Sequence, residues 1–106
     1  MAFADNLKAL PCVAHLAAIE LSNIADEFIA RIENKPGQAG SLAVYAALAQ
    51  KHGDITPAVA RQGLELYAEH TSDARANPGK HPNIDRLLQL LDTGETLKVR
   101  SELAPM

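Results

Sequence analysis

The sequence predicts an α+β fold: a small antiparallel sheet of three strands with helices packed on one face, in the order α-β-β-α-α-α-β. Three observations predict it. Apolar residues alternate with a period of two near Ile19/Leu21, Phe28/Ala30/Ile32 and Leu97/Val99, the spacing of half-buried strands. Elsewhere they recur at helical spacing, most clearly at Ile84, Leu87, Leu88 and Leu91. Between these stretches stand Pro36-Gly37, Gly53 and Pro78-Gly79, which mark turns.

Phe3, Leu7 and Leu10 lie on one helical face, and Pro11 stops the pattern, giving an amphipathic helix of about two turns. It is too short to stand alone and should dock on the core. The stretch 13–33 supports two readings. Its Ala, Leu and Glu content suits a helix, but one long helix there is apolar almost all round. The alternation favours a hairpin of strands 18–22 and 27–33, with Ser22, Asn23 and Asp26 in the turn.

Pro36-Gly37 then presets a tight turn, and Ser41 is placed to cap a helix carrying Leu42, Tyr45, Ala46 and Ala49. Basic Lys51 and His52 close that helix before Gly53. Thr56-Pro57 pairs a capping residue with proline at the first helical position, and Ile55 and Ala60 can staple the helix start. Its inward row runs Val59, Gly63, Leu66/Tyr67, His70 and Ala74, so His70 should face the core. Gly63 inside a helix costs about 1 kcal/mol relative to Ala, which implies a close neighbour there.

Asn77-Pro78-Gly79-Lys80 forms the next turn, and His81-Pro82-Asn83 leads into the last helix. Asp85 sits in its first turn and Gly94 ends it. The final strand covers 95–101, with Leu97 and Val99 on one face and Lys98 and Arg100 on the other, followed by a frayed tail to Met106.

At 106 residues the chain suits one domain, 1–106, and its 4% aromatic content leaves a core of Ala, Leu, Ile and Val. A net charge of −3, with scattered basic residues, argues against nucleic-acid partners, whose phosphates call for clustered Lys and Arg. No stretch approaches the roughly 20 apolar residues of a membrane span, and Asp5, Lys8 and Pro11 interrupt the N-terminus where a secretory signal would be apolar. The single Cys12 cannot close an internal disulfide and should be a small buried hydrophobe. A cytoplasmic protein is expected.

The strings NKPGQAGSLAVY (34–45), GLELYAEHT (63–71) and PGKHPNIDRLL (78–88), the last two within or overlapping EHTSDARANPGKHPNIDRLL (69–88), resemble a bacterial domain-of-unknown-function family of small proteins. The resemblance covers most of the chain and favours the hairpin. It implies no activity, cofactor or catalytic residue.

Two constellations can carry chemistry. His70 and Asp73 neighbour each other on a helix, and the Pro78-Gly79 turn can fold His81 and Asp85 back beside them. Two imidazoles and two carboxylates can ligate a divalent metal such as zinc, or do acid-base catalysis with a carboxylate orienting an imidazole. The competing reading makes His70 a core histidine and gives His81 and Asp85 to the turn and helix start. The other constellation is an anion site of Lys35, Gly37, Gly40 and Ser41, where a helix N-terminus offers free N–H groups. Its spacing matches neither a P-loop nor a dinucleotide fingerprint. Nucleophilic catalysis has little support: Ser41 lies outside G-x-S-x-G, and Cys12 has His15 but no third partner. The open sheet face or its edges suggest a third role, binding protein or a second copy, unless Arg31, Lys98 and Arg100 merely solvate that face.

The reading is thus a small-ligand, anion- or protein-binding module, with an enzyme using His70, Asp73, His81 and Asp85 as the alternative.

Overall fold

The central strand is buried along most of its length, and the sheet is built around it. In the computed structural model, which describes residues 2–104, β1 (Leu16–Ser22) buries Leu16, Ala18, Ile19 and Leu21. It lies between β2 (Phe28–Glu33) and β3 (Lys98–Leu103) and is antiparallel to both. The α+β class and the hairpin are as the sequence predicts. The hairpin turn has no glycine and uses side-chain chemistry instead. Asn23 Oδ1 accepts the N–H groups of Ala25 and Glu27, both at 3.0 Å, while Asp26 takes the left-handed conformation at φ 64°. A bulge between Leu21 and Ser22 of β1 and the start of β2 follows at once.

The helices pack on the face that carries Ile19, Leu21 and Ile32. They are α1 (Phe3–Ala9), α2 (Ala39–His52), α3 (Pro57–Tyr67), α4 (Glu69–Ala76) and α5 (Pro82–Thr93). One cluster joins the sheet to Leu42, Tyr45 and Leu48 of α2, Leu64 and Tyr67 of α3, and Ile84, Leu87 and Leu90 of α5. On the opposite face Arg31 reaches Glu102 at 2.6 and 3.1 Å and Glu20 at 3.5 Å, so charge covers the sheet there.

Four local readings are corrected. First, α2 starts two residues before Ser41, with Gln38 at its cap making no capping bond. Gln38 Oε1 instead accepts the Glu33 N–H at 3.0 Å, and Ser41 Oγ accepts the Tyr67 hydroxyl at 2.8 Å. Second, the helix from Thr56 does not run through to Ala74. It breaks at Ala68, which takes φ 53°, and Thr71 Oγ1 donates to the orphaned Leu64 carbonyl at 2.6 Å across the break. Positive φ at an alanine costs about 1–3 kcal/mol, and nothing in the local helical pattern announces it. Third, the last strand begins later than expected and runs to Leu103, with Ala104 N donating to His15 O at 2.8 Å. Fraying expected of Pro105 and Met106 lies outside the described residues. Fourth, Cys12 is exposed, because Pro11 ends α1 and carries the chain off the core.

Other readings hold. Thr56 Oγ1 accepts the Val59 N–H at 3.3 Å with Pro57 at the first helical position, and Gly94 adopts φ 74° after α5. Gly63 is where α3 meets its neighbours: a Cβ there would stand 2.8 Å from Leu87 Cδ1 and 2.9 Å from Leu48 Cδ1. The short α1 docks as required, with Asn6 Nδ2 donating to Leu66 O at 2.9 Å. No helix among the described residues is long and apolar enough to cross a membrane.

Candidate ligand cavity

The two Pro-Gly turns lead into α2 and α5, and the helix starts face each other across a cavity of about 370 Å³. One wall is Gly37, Ala39, Gly40 and Ser41; the opposite wall is Lys80, His81, Pro82 and Asn83. Phe3, Tyr67 and His70 close the ends. His70 lies just past the break at Ala68, in the first turn of α4.

Asp73 organises the histidine side. Its Oδ2 lies 2.6 Å from His81 Nε2 and 2.9 Å from Lys80 Nζ, and its Oδ1 accepts Asn77 Nδ2 at 2.9 Å. The bond to His81 first, and that to Lys80 second, hold the Asp73 carboxyl down at about 2. The His70 and His81 rings lie 5.7 Å apart between centroids, tilted at 48°. Phe3 presents itself edge-on to His70 at 5.1 Å and stacks on Tyr67 at 5.2 Å. The Phe3 N–H donates to Glu69 Oε1 at 2.8 Å, which lowers the Glu69 carboxyl below its ordinary value.

Two buried tyrosines brace the walls from behind. The Tyr67 hydroxyl donates to Ser41, and burial pushes it well above the usual phenol range. The Tyr45 hydroxyl donates to the Asn83 carbonyl at 2.5 Å, and burial raises it to about 12 despite the nearby Arg86. Arg86 Nη1 donates to Tyr45 Oη at 3.2 Å and Asn83 Oδ1 at 2.8 Å, with the guanidinium 5.8 Å from the ring centroid.

Of the histidine constellation, His70, Asp73 and His81 therefore meet, and Asp85 does not join them. Its Oδ2 accepts the Gly79 N–H at 2.9 Å, so it serves the turn. With Asp73 already shared among three donors, no three His, Cys, Asp or Glu side chains among the described residues are arranged to hold a metal ion. Of the anion constellation, Gly37, Gly40 and Ser41 line the cavity, whereas Lys35 points to Glu33 at 3.6 Å. Sequence reasoning missed Lys80, Tyr67 and Phe3. Lys80 stands next to His81 in the turn and was legible; nothing local marks Phe3, which comes from the far end of the chain. A larger groove of about 730 Å³ between α1, α2 and α3 contains no histidine.

The family described as an uncharacterised protein conserved in bacteria (DUF2322) matches residues 3–101. The chain belongs to this family. Its match includes both turns and every residue of the DUF2322 cavity wall named above. No curated protein and no solved structure matches the chain.

Proposed function

We propose that this DUF2322 member binds a small carboxylate- or phosphate-bearing molecule between the starts of α2 and α5. The observation that carries this reading is that residues from both constellations, His70 and His81 from one and Gly37, Gly40 and Ser41 from the other, line one cavity. The first turn of α2 offers the Gly40 and Ser41 N–H groups without a side-chain cap, and Lys80 and His81 stand opposite as donors. Phe3 and Tyr67 supply apolar surface for the remainder of a ligand. A cytoplasmic setting accords with the exposed free thiol of Cys12.

The test is a ¹⁵N–¹H titration with inorganic phosphate and with short mono- and dicarboxylic acids. Saturable shifts are expected at Gly40, Ser41, Lys80 and His81, weakened in Lys80→Ala. Unmoved amides at both walls, for every anion, would sink the proposal.

A second reading is favoured by one specific feature, the 2.6 Å contact between Asp73 and His81 beside the cavity. A carboxylate that orients an imidazole is the arrangement of an acid-base pair. Here Asp73 positions the ring and His81 moves the proton. Any turnover found for this protein is then expected to fall roughly a hundredfold in His81→Gln. Turnover that survives that change at full rate assigns His81 to binding alone.

A further inference from the structure

Among the described residues, no strand pairs with the outer edge of β3. Just before the strand, Leu97 exchanges hydrogen bonds with Ile55 on the side away from β1, N to O at 2.9 and 2.8 Å. Backbone direction alternates along a strand, so Val99, Ser101 and Leu103 also aim their N–H and C=O groups away from β1. Among the described residues these groups meet no further strand. The opposite edge differs: β2 is bulged at its start, and the Glu33 N–H is occupied by Gln38.

We infer that β3 pairs antiparallel with β3 of a second copy, about a twofold axis at Ser101, joining the two sheets into one. The register follows from charge. An axis at Arg100 would set that residue against itself, and an axis at Glu102 would do the same to Glu102. With the axis at Ser101, Arg100 faces Glu102 of the second copy and Glu102 faces its Arg100. On the other face of the strand, Val99 then meets Leu103 of the second copy and covers a side chain that is 71% exposed. Ser101 meets Ser101 at the axis, where a small side chain permits close approach.

A second observation supports the same occupant. Between Val99, Ser101 and Leu103 and the α2 residues Ala46, Ala49 and Gln50 runs a groove of about 480 Å³. It lies on the helix side of the β3 edge, where the Val99 and Leu103 side chains of an added strand would enter. Main-chain pairing with alternate side chains seated in a groove is the recurring form of strand addition. Arg100 makes no ion pair within the chain among the described residues, so it is available to the second copy.

Sedimentation equilibrium from micromolar to millimolar protein tests this directly. A species of twice 11.3 kDa is expected as concentration rises. Ser101→Pro removes an outward N–H at an edge position that tolerates proline, and should leave a folded monomer by circular dichroism. Arg100→Glu alone and Glu102→Arg alone each set like charges opposite and should weaken dimerisation roughly tenfold. Mixed together, those two variants restore both unlike pairs and should form a one-to-one heterodimer. A wild-type monomer at every concentration overturns the inference. So does a dimer that Ser101→Pro and Arg100→Glu leave at full strength, or a mixture that associates no better than its parts.

Discussion

The two Pro-Gly turns carry nearly the same signal in the sequence and face one cavity, yet they are held in opposite ways. The turn at Pro78-Gly79 is tied from both sides: Asp85 accepts the Gly79 N–H, and Asp73 gathers Asn77, Lys80 and His81. The turn at Pro36-Gly37 has no such carboxylate, and α2 starts without a side-chain cap. One wall has its charged groups positioned by neighbours; on the other, Gln38 and Ala39 donate to the Lys35 carbonyl and the Gly40 and Ser41 N–H groups are left for a ligand, which is the combination a preorganised anion cavity requires.

The largest disturbance of both walls together should come from Gly63→Ala. Its Cβ would press on Leu87 of α5 and Leu48 of α2, the two helices that carry the walls. Overpacking of about 1–3 kcal/mol is expected, reduced by the better helix propensity of alanine, and denaturant unfolding measures it. Stability equal to or above wild type would mean the helices adjust freely and the walls are less fixed than their packing indicates.

Tyr45→Phe cuts the link between the walls, because Tyr45 belongs to α2 and its hydroxyl holds Asn83 at the start of α5. The loss should be about 1 kcal/mol in chemical denaturation, the usual net worth of one hydrogen bond. The Arg86 contacts to Asn83 keep it from being larger.

Acid separates the walls. The Asp73 carboxyl lies at about 2 when folded, below its ordinary value of 3.8, so the folded state binds fewer protons than the unfolded one as pH falls. The stabilisation is complete above the unfolded value and is lost as pH drops through about 2. Thermal melts of Asp73→Asn should show less loss over that window than wild type, while Gly37→Ala should keep the wild-type acid dependence. Identical acid profiles for wild type and Asp73→Asn would remove Asp73 from its organising role.

The smallest effect belongs to Lys35→Ala. Its partner Glu33 is 3.6 Å away, and both side chains are about half exposed. The change in stability should fall within about 0.5 kcal/mol, and phosphate-induced shifts at Gly40 should survive. Loss of those shifts would return Lys35 to the site.

Much of the fold was legible because local physics decided it. The Thr56-Pro57 helix start, the α5 stripe through Ile84 and Leu87, and the hairpin alternation each follow from short-range sterics and burial of one face. Ser41 misled because a serine beside a helix start can cap it, yet here Tyr67 claims its oxygen. Asp85 misled because the start of a helix suits an acid whether or not it also serves a site, and the Gly79 N–H took it.

The α+β class, both turns and the clustering of His70, Asp73 and His81 around one connector are written in the local sequence. Tertiary packing alone sets His70 and His81 in one cavity with the start of α2, and brings Phe3 to close it. The physical reason is the range of the forces. Turns and helix faces depend on neighbours within a few residues, whereas the meeting of Leu48 of α2 and Leu87 of α5 at Gly63 depends on partners far away in the chain.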